Sequence, residues 1–313
     1  MPFSARPTSP PAKQTMPRRA TYSFLAGAEF ALRNPGADLP GVNDWDAGPN
    51  ERRPVPVILL HGTAGSASTN WITLAPMLRS AGFSVFAPTY GAIEGAEFPL
   101  SAFGGLQKLR NVSVPQVATF VDLVLEVTGA EQVDLVGHSQ GCVVAGAVAK
   151  HERPGKVRKV VSLASPWHGV GSKRVEWLVT ATHIRPLIGT VSKVGEDLVR
   201  GSDFLRWLWD PDGTPYAEGI EYTNIATRFD EFVIPHTTSL VAPPNDESYS
   251  VRNIVLQHGC MLDFVDHAAL PSDPRAVDFV MRALDPDSKK RIRCLPVAPV
   301  HGGVLPARLS DIL

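Results

Sequence analysis

Ser139 stands between two glycines in Gly137-His138-Ser139-Gln140-Gly141. A serine hydroxyl is a weak nucleophile at neutral pH, so chemistry at Ser139 needs a base, a group to orient that base, and donors for a developing oxyanion. Candidates for each occur in the chain. His61-Gly62-Thr63-Ala64-Gly65 follows an apolar run, and its small residues let backbone N–H groups approach a carbonyl oxygen. Thr63 offers its hydroxyl as well, and the N–H of Gln140, directly after the serine, is the other expected donor. For the acid, Asp230 follows Tyr222–Thr227, with Glu231 as its neighbour and rival. For the base, the residues leave His258 and His267 open. His61 and His138 read as shaping and packing residues, and His168 as wall. His258, Cys260, Asp263 and His267 could be taken as metal ligands, but their spacing matches no standard zinc pattern. No metal or organic cofactor is expected.

The elements around Ser139 suit a nucleophile elbow. Val133-Asp134-Leu135-Val136 reads as a short strand, and the small residues Cys142–Ala149 as a buried helix. Upstream, Val55–Leu60 is a continuous apolar run typical of a strand buried on both faces. A helix is predicted from about Trp71 to Ser80, a strand over Phe83–Phe86, and a long loop over 91–112. Val117, Phe120, Val121 and Val124 recur at i, i+3, i+4 and i+7 and mark an amphipathic helix. Strands follow at Val157–Leu163, Tyr222–Ala226 and Val251–Leu256, then a helix over Pro274–Leu284. The alternation predicts an α/β fold with a doubly wound, mostly parallel sheet, whose chemistry sits at the carboxyl ends of strands.

Four regions are expected: a disordered segment 1–20, a single domain 21–286, a helical cap-like insertion at about 165–215, and a basic extension 287–313. The insertion carries Trp167, Trp177, Leu178, Ile184, Leu187, Ile188, Leu198, Phe204, Leu205, Trp207, Leu208 and Trp209. Packed over the sheet edge, these would line an apolar cleft, favouring acyl chains longer than acetate.

The chain has 313 residues, is 44% hydrophobic and has a formal net charge of −1, so no overall field favours nucleic acid. No apolar run approaches the roughly 20 residues that span a bilayer. Prolines and basic residues interrupt any signal-like stretch near the N-terminus, which favours a cytoplasmic over a secreted location. Cys142 reads as a small buried residue. Cys260 and Cys294 could pair, but the sequence leaves this open.

Several motifs together resemble the actinobacterial-type class 2 lipase family of triacylglycerol lipases and esterases. They are Asn43-Asp44-Trp45, Pro56–Thr63, Asn70-Trp71, the elbow, Gly201–Leu205, Ile225–Glu231, Asn253–Gln257, Asp263–His267 and Ala283–Pro286. The resemblance implies an α/β-hydrolase fold and hydrolysis of carboxylic esters, including acylglycerols. It implies Ser139 as nucleophile, Asp230 as acid and His267, rather than His258, as base. The chain departs from secreted relatives in lacking cysteines after Asn-Asp-Trp and before Gly-Ser-Asp-Phe-Leu, and in its basic tail. An acyltransferase using the same triad with an alcohol acceptor is the enzymatic alternative, and a non-catalytic ligand-binding relative is the other. Oligomeric state is not legible.

Overall fold

The computed structural model describes residues 19–46, 48–171, 194–300, 302–303 and 307–308. Its elements run β1 (Arg19–Ala20), α1 (Phe24–Arg33), β2 (Val57–Leu60), α2 (Ala67–Trp71), α3 (Leu74–Ser80), β3 (Val85–Phe86), α4 (Val114–Thr128) and β4 (Val133–His138). They continue with α5 (Gln140–Ala147), β5 (Val157–Leu163), α6 (Asp203–Trp209), β6 (Glu221–Ala226), β7 (Ser250–Val255) and α7 (Pro274–Leu284). Short pairs β8 (Val297–Ala298), β9 (Gly302–Gly303) and β10 (Ala307–Arg308) close the chain.

Six strands form one parallel sheet in the order β3-β2-β4-β5-β6-β7. Successive side chains on a strand point to opposite faces, and β2 is apolar at every position because both faces are covered. Val57 and Leu59 join Trp71, Leu74, Val277 and Val280 on one face. Ile58 and Leu60 join Val117, Val121, Val144 and Phe204 on the other. The amphipathic α4 starts with Pro115 in its first turn and stops at Gly129, which takes a left-handed conformation at φ 67°.

Three local expectations change. The helix predicted from Trp71 to Ser80 is two helices, α2 and α3, with a break at Ile72–Thr73. Pro76 has no N–H to return to the carbonyl of Ile72, so one continuous helix cannot form there. Ser66 accepts from the Thr69 N–H and starts α2 before the predicted boundary. The 91–112 loop contains a 3₁₀ turn at Leu100–Ala102, and its end already winds, through Leu109–Ser113, into α4.

Of the predicted insertion, residues 172–193, with Trp177, Leu178, Ile184, Leu187 and Ile188, lie outside the described residues. Trp167, Phe204, Leu205 and Leu208 are ordinary core on the α4–α5 face of the sheet. Trp167 also donates from its indole N–H to Asn224 Oδ1 at 3.1 Å. Within the segment expected to be disordered, residues 1–18 likewise lie outside the described residues, while β1 pairs antiparallel with β10.

The described part of the C-terminal extension docks on the domain. Cys260 and Cys294 form a disulfide. Arg293 pairs with Asp278 and donates to the Tyr22 hydroxyl, so these two parts of the chain's ends meet. The Val297 N–H donates to the Leu262 carbonyl and the Val297 carbonyl accepts the Phe264 N–H, so the extension lies along the stretch that leads to His267.

Candidate active site

The turn from β4 to α5 is a single residue, Ser139. Ser139 has φ 53° and ψ −122°, a strained conformation for a residue with a side chain, and its N–H is tied to Leu163 O at 2.8 Å. Its flanking glycines are required by space. A Cβ on Gly137 would meet the Cys142 nitrogen at 2.6 Å, and one on Gly141 would collide with the Leu60 carbonyl. The strand, turn and helix therefore lift Ser139, half-buried, above the carboxyl edge of the sheet.

His267 Nε2 lies 2.9 Å from Ser139 Oγ. Its Nδ1 lies 2.9 and 3.0 Å from the two carboxylate oxygens of Asp230. A carboxylate accepts, so Nδ1 carries the proton and the Nε2 lone pair faces the serine hydroxyl. Asp230 is itself fixed where it leaves β6, since its Oδ1 accepts the N–H groups of Phe232 and Val233 at 2.9 and 2.7 Å. Burial pulls the His267 imidazole down, but the charge of Asp230, helped by Glu231 and Asp266, holds it above the ordinary histidine value.

Of the two candidate bases, His258 is exposed, and its main chain serves β7 and Arg275 rather than Ser139. Of the two candidate acids, only Asp230 meets the imidazole. Glu231 instead accepts the main-chain N–H of His267 at 3.0 Å. His61 donates from Nδ1 to Gly62 O and stacks on Tyr90, and burial takes it down to about 4, so it shapes the loop as a neutral ring. His168 is exposed and lies against Trp209. Cys260, one of the residues that could have been read as a metal ligand, is in the disulfide. Cys142 is fully buried, with its thiol pushed up to about 12 by burial.

At the expected oxyanion loop, the Thr63 hydroxyl donates to Gln140 Oε1 at 2.6 Å. Its single proton is thus engaged within the loop and not aimed into the cleft. Gln140 is the first residue of α5, so its main-chain N–H has no partner inside the helix.

A cleft of about 270 Å³ opens at Ser139, with Gly62, Thr63, Ala64 and Asn70 on one side and His267 on another. Its apolar walls include Phe24 and Ala28 of α1, Phe103, Leu198 and Phe232. Of these, only Leu198 is among the residues the sequence nominated for a cleft. Phe24 and Ala28 are four apart on one face of α1, a weak apolar signal in a segment with no chemical motif.

A parallel sheet in the order 3-2-4-5-6-7 with a strand–Ser–helix elbow at its centre decides the architecture. The chain has the α/β-hydrolase fold. A family model described as the alpha/beta hydrolase fold matches residues 55–180. Aspergillus fumigatus lipase B is similar in structure, with a TM-score of 0.61 at 20% identity over 98% of this chain and 65% of that one. The mature form of Bacillus licheniformis lipase BlEst2 aligns with a TM-score of 0.54 at 16% identity, over 80% of this chain and 99% of that one. In sequence, a triacylglycerol lipase of Pseudarthrobacter phenanthrenivorans is 30% identical over 119 residues, covering 36% of this chain and 34% of its own length. The gastric triacylglycerol lipase of Mus musculus is 27% identical over 176 residues, 49% of this chain and 42% of that protein. The chain thus spans about a third to two fifths of the curated relatives it matches. Among the described residues of this hydrolase fold, no helix is long and apolar enough to cross a membrane.

Proposed function

We propose that this protein is a serine carboxylester hydrolase of lipase or esterase type. The observation that carries the reading is the unbroken line from Ser139 Oγ through the His267 imidazole to Asp230, opening into an apolar cleft. His267 takes the Ser139 proton as Oγ attacks the ester carbonyl, and Asp230 keeps the imidazole in the required tautomer and steadies the imidazolium. The main-chain N–H groups of Gln140 and Thr63 hold the oxyanion, the Thr63 hydroxyl being engaged by Gln140. The alcohol leaves with the proton from His267, and water then releases the acyl group from Ser139 by the same route in reverse. The similarity to proteins named triacylglycerol lipases favours an acylglycerol or simple ester substrate, and water over an alcohol as acceptor.

The cleft supports acyl chains longer than acetate, because each buried CH₂ contributes about 0.8 kcal/mol. The Cys260–Cys294 bridge supports an oxidising compartment, against the cytoplasmic expectation. A fluorophosphonate probe should label Ser139, and a p-nitrophenyl ester series should rise in kcat/KM beyond acetate. Ser139→Ala should stay folded, lose labelling and lose on the order of 10⁴-fold in rate. Folded Ser139→Ala protein with near-normal turnover would overturn the reading.

A further inference from the structure

Asp230 meets the His267 ring at Nδ1, not its main chain. The stretch that carries His267, residues 256–269, contains no helix and no strand of the sheet. Two other side chains close on the main chain of His267 itself. Glu231 Oε2 accepts its N–H at 3.0 Å, and His138 Nε2 lies 2.9 Å from its carbonyl oxygen. A carbonyl can only accept, so His138 carries its proton on Nε2. Its Nδ1 then accepts from Asn70 Nδ2 at 2.6 Å, which fixes the ring from behind.

We propose that Glu231 and His138 are positioning residues that clamp the peptide groups on both sides of His267, with Glu231 adding a negative charge that steadies the imidazolium. The proposal rests on His267 acting as the base of a hydrolase. Each partner is supplied by a residue adjacent to the triad. Asp230 turns to the imidazole while Glu231, one residue on, takes the main chain. Ser139 faces the cleft while His138, one residue before, reaches the base loop from the elbow. His138 is fully buried, and burial together with the charge of His267 takes it well below the ordinary histidine value. It therefore stays a neutral donor while His267 gains and loses its proton.

The charged surroundings favour this division of roles. His267 faces Asp230, Glu231, Asp266 and the ring of His138. Asp266 accepts the N–H groups of Ala269 and Val300, so its carboxylate is committed to the loop and the C-terminal extension. The titratable groups that act on Glu231 include His267 and Asp266.

The test compares Glu231→Ala, Glu231→Gln, His138→Leu and His138→Gln in the full chain. Glu231→Ala and His138→Leu should each lower kcat about 10- to 100-fold with KM changed less than about threefold, the range for losing a hydrogen bond involving a charged or buried group. Glutamine retains an acceptor at 231 and a donor at 138, so both conservative variants should recover most of kcat. Glu231→Gln should also move the acid limb of kcat/KM to lower pH, because the imidazolium loses an anion. A purely structural role would leave that limb in place. Folded Glu231→Ala at wild-type kcat, or an unmoved acid limb in Glu231→Gln, would overturn the clamp. If His138→Leu does not fold, the Glu231 profile decides. Failure of the wild-type protein to react with a fluorophosphonate would instead overturn the hydrolase reading.

Discussion

Ser139 and His267 are held in opposite ways. The serine is fixed chiefly by its immediate neighbours in the chain, the end of β4, two glycines and the first turn of α5, with one main-chain bond to Leu163 on the next strand. The histidine is fixed by side chains 36, 37 and 129 positions away and lies in a stretch with no regular element. One half of the site is built by local geometry, the other by long-range bonds and a covalent staple. The same contrast governs electrostatics. The elbow's own side chains are neutral, whereas the base loop and the start of α7 collect Asp263, Asp266 and Asp273 in buried positions. A locally built feature should tolerate changes elsewhere. A feature built from distant parts should fail when any one of them is cut.

The largest effect expected is in the base. His267→Ala should lower kcat/KM by about 10³-fold or more, while His258→Ala should stay within about threefold, because only His267 reaches Ser139. Asp230→Asn should fall close to His267→Ala, since an amide cannot enforce the Nδ1–H tautomer. Steady-state kinetics with one soluble ester ranks all three, and an inactive His258→Ala beside an active His267→Ala would reverse the assignment.

A smaller effect is expected from the staple. Cys260 and Cys294 are 34 residues apart, and a cross-link over that length stabilises by roughly 4 kcal/mol. The double variant Cys260→Ser/Cys294→Ser should therefore melt several degrees lower. If the base loop depends on the extension as the comparison holds, kcat should fall while fluorophosphonate access to the elbow changes less. Unchanged Tm and kcat would show that the loop stands without the extension.

The smallest effect concerns pH. Burial, and then the charge of Asp263, push the Asp273 carboxyl well above its ordinary value. Its folded value exceeds the unfolded one, so the stability it contributes is full below the ordinary carboxylate value and is lost as pH rises through the folded value. Asp273 Oδ1 also caps α7 by accepting the Ala276 N–H at 2.5 Å, a bond that an amide oxygen keeps. Asp273→Asn should thus raise Tm by about 2–4 °C at pH 8 and much less near pH 4. Equal shifts at both pH values would remove the charge from the explanation.

The parallel sheet and the elbow were legible in the sequence for a physical reason. Strands buried on both faces read as apolar runs, as at Val57–Leu60, and a turn that excludes Cβ atoms writes glycine on both sides of Ser139. The residues Asp230 and His267 could be nominated from chain order and resemblance, but the choice over Glu231 and His258 was not contained in composition or spacing. That choice depends on which side chain faces which atom, and Glu231 differs from Asp230 by one methylene and one position. The same holds for Phe24 and Ala28 of α1, which reach the cleft only because α1 packs against α2.

The sequence by itself determined the core strands of the parallel sheet and the helices α4, α5 and α7, because periodicity and steric exclusion act between residues close in the chain, but not α1 or the break between α2 and α3. It also determined that a serine would stand at the tip of a tight turn. Only the tertiary structure decided that Cys260 meets Cys294, that the C-terminal extension docks beside the base loop, and that His138 and Glu231 meet the main chain of His267. Those contacts join residues 34 to 129 positions apart, and no local pattern encodes them. Their geometry exists only once the sheet has set β4, β6 and the loop after β7 side by side.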